Sequence, residues 1–560
     1  MCEIAKAPSI QSGRLDDNYE LYKSIKDTQL DLVEAKKVLR KVDVRILSLL
    51  MGTYILQYLD KNCINLASVY GLKTDTHLEG QDYSWLTSIF YIGYLVFQLP
   101  FGYLLQYYPT GRLLSTTIIA WGAVLITTPA CTSFAGIATN RFLLGALESA
   151  TNPGFVLLMS MWYTTKEQPL RLEAYYSTIG IATMFSGLIG YAIGNITTGL
   201  HRWMYIFLIF GAITIAWGII SLFLLPDSPS TSPFLNPRER AVAVERVAAN
   251  RQGIKNHVFK RYQAIQTAKD PKTWILFVMA IAGQVPTAAV TSFASINISS
   301  FGFDTLGSQY MLIPGGAVQL FGMLIGGWVA TKWPGMRCAV MVVANSICIL
   351  GSGLLVGLPT SNKWGRLIAL WLCYSQNLGF SMSLTMISSN IAGYTKKQLT
   401  ASIVFIGFCI GNAAGPQTFI ANEAPGYRTA YISMLVAYSV KLAMVFVLYA
   451  HMYLFNRKRD REQAETPLDE GEAIEFGMQD VTEIDNKWFR SKSTSVPTLS
   501  QPKKGDDIIR WKCHHCNENN SLLDSDGEYK EYGDGKLRPE TPEKSSNKYC
   551  GEEYERNLEE

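Results

Sequence analysis

QYLDKNCINLASVY, residues 57–70, closes an apolar run that begins near Val44. An acid and a base, Asp60 and Lys61, stand side by side where a membrane-crossing helix would lie in lipid. A charge at the centre of such a helix costs about 2.5–3.5 kcal/mol even on insertion scales. Either this run is not a span, or the chain has a use for both charges. The surrounding sequence decides between the two.

The chain has 560 residues, is 48% hydrophobic and carries a formal net charge of +4. These averages hide two populations. Residues 44–454 form a succession of apolar runs of about 18–25 residues, the length of a helix that crosses a bilayer. The flanks are polar and charged. A soluble protein spreads its charges along the chain, so the pattern is that of a polytopic membrane protein. Met1 to Lys37 is polar with no small-residue cleavage site, and the first span itself is expected to act as the insertion signal. Six of the ten cysteines (Cys63, Cys131, Cys338, Cys348, Cys373, Cys409) lie in or beside spans, where a thiol behaves as a small apolar group. No disulfide framework follows.

The runs predict an all-α fold of twelve transmembrane helices in two six-helix bundles: 44–68, 85–107, 113–132, 134–162, 174–198 and 203–225, then 274–301, 308–331, 338–358, 367–392, 399–422 and 429–455. The expected division is an N-terminal segment 1–43, a first bundle 44–225, a central loop 226–272, a second bundle 273–455 and a disordered tail 456–560. Lys36, Lys37, Arg40, Arg112, Arg171, Lys332, Arg337, Lys396 and Arg457 fall on one side, and the other side is poor in Lys and Arg. The positive-inside rule then places both termini in the cytoplasm. In the central loop, Asn236 followed by Pro237 reads as a helix cap and first turn. Its basic residues fit either a solvated linker helix or one lying near anionic lipid. The CHHC of residues 513–516 offers half a zinc site with no second pair, so no metal is assigned.

Catalytic signatures are absent: there is no GxxxxGK[ST], no GxSxG and no metal-spaced histidine cluster, and the chain has six histidines in all. An enzyme is not expected, nor a cofactor, nor nucleic-acid binding. The spans do hold intramembrane charges. Tyr54, Tyr58, Lys61 and Asn65 share one helical stripe, and Asp60 lies about 100° around from Lys61. In the fourth span Arg141 and Glu148 are seven residues apart, two turns along one face and about 10 Å of helix axis. Two acids and two bases balance if they share a cavity. They would serve either as an ion-pair network that locks helices or as a site that exchanges a proton for an anion. Tyr94, Asn377 and Asn412 add uncharged polar groups from both halves, which either bond between helices or outline a cavity at the bundle interface.

Taken together, YLDKNCINLA, FYIGYLVFQLPFGYLL, RFLLGALESATNPGFVLLMSMWY, FLLPDSP, FLNPRERAVAVERV and NIAGYTKKQLTASIVFIGFCIGNAAGPQTF resemble the major facilitator superfamily, and within it the fungal allantoate permease branch of the anion:cation symporters. The resemblance covers nearly all of residues 44–455. It implies proton-coupled import of a small organic anion such as allantoate, ureidosuccinate, a vitamin or another carboxylate, by alternating access in the plasma membrane. It implies proton carriers at Asp60 and Glu148, anion-binding cations at Lys61 and Arg141, and further binding positions at Tyr58, Tyr94 and Asn412. Two departures stand out. The usual first-span Asp-Arg is here Asp60–Lys61, a point charge in place of a bidentate fork. In the loop after the second span Gly102, Gly111 and Arg112 remain of a gate motif, with Gln106 where its Asp belongs. A monomer is expected. An exporter of a fungal metabolite and a nutrient sensor are the alternatives.

Overall fold

Inside a bilayer no water bonds the backbone, so a crossing segment must satisfy its own N–H and C=O groups as helix. Among the described residues every regular element is helical. The computed structural model describes residues 32–164, 167–248, 260–465, 481–486, 489 and 491. Eleven helices are long and apolar enough to cross: Val33–Ser68, Asp82–Leu105, Thr110–Ala130, Phe134–Trp162, Leu170–Gly194, Arg202–Leu224, Pro271–Val290, Thr305–Ala330, Arg337–Gly357, Thr395–Thr418 and Arg428–Glu462. The tenth crossing is made by two helices end to end, Lys363–Cys373 and Gln376–Asn390, which meet at Tyr374 and Ser375. Leu99, Val156, Phe223, Ile325, Leu350 and Phe446 are strongly exposed on the outer surface, as lipid-facing side chains are.

Two further crossings are interrupted. The fourth is broken at Ser149–Ala150, directly after Glu148, and the seventh is divided into Pro271–Gln284, Thr287–Val290 and Ala294–Ser300. Irregular backbone at this depth is tolerated where it lines a cavity or is buried in protein.

Close helix approach sets the packing. A Cβ on Gly145 would stand 1.9 Å from the Phe90 carbonyl oxygen, and one on Gly93 would stand 2.3 Å from that of Phe142, so the second and fourth helices meet backbone to backbone. Gly180 and Gly316 do the same between the fifth and eighth helices, where a Cβ on either would come within 2.6 or 2.7 Å of the other's carbonyl oxygen. This contact joins the two halves and leaves a surface on which one can turn against the other.

The first helix starts at Leu32, ahead of the expected 44, with a widened turn at Asp43–Leu47. Asp43 there accepts two bonds of 2.7 Å from Arg171. The central loop forms the expected helix, Pro237–Ala248, with Glu239 reaching back to the Asn236 N–H at 3.0 Å. Ion pairs of 2.5 Å to Lys41, 2.8 Å to Glu34 and 2.8 Å to Glu167 fasten it to the first half, so it is a docked brace and not a free linker.

The expectation of a disordered tail from residue 456 needs correction within the described residues. The last helix runs to Glu465, and residues 481–486 are seated against the basal end, where the first helix begins and the twelfth finishes. Glu483, fully buried, receives the Lys272 ammonium at 2.5 Å, the Lys396 ammonium at 2.6 Å and the Ala392 N–H at 3.0 Å. Asp270 completes the cluster, 2.7 Å from Lys396 and 3.6 Å from Lys272. Thr482 donates to Gln266, and Arg459 donates to the Ile484 carbonyl. Hydrophobicity missed this segment because its burial is driven by charge pairing. Residues 513–516 and Cys550 lie outside the described residues.

Candidate functional site

A central cavity lies between the two halves, with about 850 Å³ of atom-free space including its mouth. At the distal end, away from the basal end, the halves are bonded together. Tyr83 donates to the Ser292 carbonyl at 2.6 Å, the Ser295 N–H donates to Asn65 at 2.9 Å, and Ser88 donates to the Ala413 carbonyl at 2.7 Å. The Phe293 ring stacks on Phe419 at 4.0 Å and takes the Tyr83 ring edge-on at 5.0 Å. Wall residues near this seal (Ile64, Leu86, Ser292) are buried, whereas Tyr54, Tyr58 and Tyr176 toward the basal end are partly exposed. The cavity is therefore closed distally.

The first-helix stripe read from the sequence holds for three of its four members. Tyr54, Tyr58 and Lys61 line the cavity, while Asn65, one turn further, is spent on the distal seal. Lys61 sits 3.3 Å from Glu148, the last residue before the break in the fourth helix. Its ammonium also lies 5.5 Å from the ring centroids of Phe90 and Tyr94, an aromatic flank that favours a cation. Arg141, also on the wall, is 3% exposed; its Nε and Nη2 have no hydrogen-bond partner, and its guanidinium lies 5.7 Å from the Phe207 centroid. A buried guanidinium with unused donors beside a cavity is fitted to a carboxylate or another anion.

Asp60 does not line this cavity. Its Oδ2 accepts from Trp121 at 2.8 Å and from Thr214 at 3.0 Å, which turns it into the packing of the third and sixth helices. The 100° offset from Lys61 is the reason: a helix cannot aim adjacent side chains the same way. Tyr94 is also withdrawn from the wall. It accepts from Asn152 at 2.9 Å and stacks on Phe405 of the other half, so it backs Lys61 and does not face the cavity.

In the second half, Asn377 and Asn412 line the cavity wall. Asn412 donates to Gln284 at 3.1 Å, and Gln284 also accepts from Thr287 at 3.0 Å. Gln284, Thr287 and Thr291, all on the broken seventh helix, line the cavity and were not singled out from the sequence. One signal was legible: Pro286 interrupts an apolar run beside a lone glutamine. The gate-motif remnant is held inside the first half. The Arg112 guanidinium lies 3.3 Å from Asp227, and the Arg112 backbone N–H donates to the same carboxylate at 3.1 Å. A Cβ on Gly111 would come within 2.6 Å of the Leu225 carbonyl oxygen, so that loop can only close over a glycine.

The arrangement is a cavity between two helical halves, sealed at one end, with a cation–carboxylate pair and a second cation on one wall and amides and hydroxyls on the other. Residues 50–416 match the family model described as Major Facilitator Superfamily. An uncharacterised transporter of Schizosaccharomyces pombe is 36% identical over 476 residues, 85% of this chain and 88% of that protein. The allantoate permease of Saccharomyces cerevisiae is 32% identical over 492 residues, 86% of this chain and 90% of that protein. In fold, the chain is similar to a bacterial homologue of the human lysosomal transporter Spinster in an inward-facing, unoccupied conformation. The TM-score is 0.51 at 15% identity, over 75% of this chain and 96% of that one. The chain is thus a multi-pass membrane transporter and belongs to the Major Facilitator Superfamily.

Proposed function

We propose that this transporter imports a small organic anion together with a proton, by alternating access across the plasma membrane with both termini in the cytoplasm. The observation that carries the reading is the Lys61–Glu148 pair beside Arg141, whose Nε and Nη2 are unpartnered. An anion entering from the distal side meets the Arg141 guanidinium and the Lys61 ammonium. As Lys61 turns to the anion it releases Glu148, and a buried carboxylate that loses its cation favours the protonated form. Substrate and proton then load together, and with their charges compensated the halves can close over them. Asn377, Asn412, Gln284 and Tyr58 give the polar contacts that select the anion's shape. Asp60, tied to Trp121 and Thr214, anchors the first helix against the third and sixth, and Glu148 is the coupling carboxylate.

Similarity to the allantoate permease makes ureido acids the first compounds to try. Uptake of labelled organic acids, allantoate among them, is measured in cells expressing the chain at outside pH 5 and pH 7. Faster accumulation of one acid at pH 5 supports import by symport. Acid-driven efflux, with no uptake, would replace it with export by antiport.

A further inference from the structure

The buried charges around the cavity are unequally paired. On the first-half side Asp60, Glu148 and Glu173 stand with Lys61 and Arg141, and Lys61 pairs with Glu148. The second half contributes Lys441, in the twelfth helix, 1% exposed and with no hydrogen-bond partner for its Nζ. Among the described residues no carboxylate lies within ion-pair distance of it.

The surroundings of this ammonium are built for it. A Cβ on Gly283 would stand 3.1 Å from Nζ, and one on Gly379 would stand 3.0 Å from it. These glycines lie on the seventh and tenth helices, next to the wall residues Gln284 and Phe380, so Lys441 sits just behind the cavity wall. Asn345 of the ninth helix is fully buried, both its amide atoms lack partners, and its Oδ1 lies 3.8 Å from the same Gly379 Cβ position. Three helices thus leave room around an ammonium and none supplies a counter-charge. A buried, unpaired ammonium is expensive, and in a low-dielectric interior its field reaches further than in water.

We propose that Lys441 sets the charge selectivity of the site: an unpartnered ammonium just behind the wall favours an acid in the cavity over a neutral molecule of the same shape. The inference rests on the reading of the chain as an organic-anion transporter and extends it to the residue that reads the substrate's charge. Lys441 does not touch the ligand. Its field raises the affinity for an acid over the neutral amide of the same shape, whereas Arg141 and Lys61 supply the contacts. An acid bound in the cavity compensates the Lys441 charge through the wall, and its amide does not.

The test uses the full chain in proteoliposomes. Uptake of a panel of labelled small carboxylic acids, allantoate among them, is competed with each acid and with its primary amide, for wild type, Lys441→Gln and Lys441→Arg. The expected result is an acid-over-amide preference that falls at least tenfold in Lys441→Gln and survives in Lys441→Arg. A merely structural lysine would change the amount of folded protein and leave that ratio where it was. Should Lys441→Gln fail to fold, Gly379→Ala, which crowds Nζ, is read by the same ratio. If wild type transports an acid and the ratio is unchanged in the variant, the role of Lys441 is overturned while the transport reading stands. If wild type transports none of the acids, both fall.

Discussion

Two buried charge clusters differ in how completely they are paired. At the basal end Asp270, Lys272, Lys396 and Glu483 form a closed set, two acids against two bases, with ion pairs of 2.5–3.6 Å. In the middle of the molecule the charges are only partly matched: Lys61 holds Glu148, Arg141 has two unpartnered nitrogens, and Lys441 has no partner. A closed set holds structure together, because every member satisfies another. An open set costs free energy that folding alone does not recover, which is the mark of groups reserved for a ligand and a proton. The closed cluster also explains why a polar tail segment is part of the folded unit.

The largest expected effect breaks the closed cluster. Glu483→Gln leaves a buried ammonium without its anion and should destabilise the protein by about 3–5 kcal/mol, seen as a lower melting temperature in detergent. Replacing both partners, Lys396→Met with Glu483→Met, leaves the Asp270–Lys272 pair and should recover most of that loss. No recovery would mean that the cluster does not act through charge. Next comes Asp60→Asn. With Trp121 and Thr214 both donating to this side chain, the amide should cost about 1–3 kcal/mol of stability and leave the pH dependence of uptake in place; loss of that dependence would return Asp60 to the coupling machinery.

Acid should also separate the clusters. Burial pushes the Asp270 carboxyl up, but Lys272 and Lys396 outweigh it and hold the carboxyl below its ordinary value. A depressed folded value gives stability that is present above the unfolded value, about pH 4, and lost as the pH falls through the folded one. Melting temperature should therefore drop below about pH 4 in wild type and do so less steeply in Asp270→Asn; parallel curves would contradict the assignment. The smallest effect is expected at the gate-motif remnant. Arg112, 74% exposed, pairs with Asp227 at the surface, so Arg112→Ala should cost no more than about 1 kcal/mol.

Much of the fold was legible in the sequence because bilayer crossing leaves a length signal that needs no long-range information. The Tyr54–Tyr58–Lys61 stripe and the acid at Glu148 were legible for the same reason: helical spacing fixes a face, and intramembrane charges are rare. What local pattern cannot give is which charge meets which. Asp60 was expected beside Lys61 in the cavity, yet its partners Trp121 and Thr214 lie 61 and 154 residues away. Glu483 was read as part of a disordered tail because its burial depends on Lys272, 211 residues distant, and Lys396, 87 residues distant. The break at Tyr374–Ser375 falls in a polar stretch, YSQN, within a run read as one continuous span. Lys441, a charge within the apolar run 429–455, was also visible in the sequence and was not singled out.

The central claim is that Glu148 couples anion to proton through Lys61. Its most direct test is internal pH in proteoliposomes loaded with a pH-sensitive dye, recorded on addition of a transported acid, for wild type and Glu148→Gln. The account predicts acidification of the wild-type lumen that follows substrate entry, and in Glu148→Gln substrate exchange without acidification. A variant that still acidifies with substrate entry would contradict it.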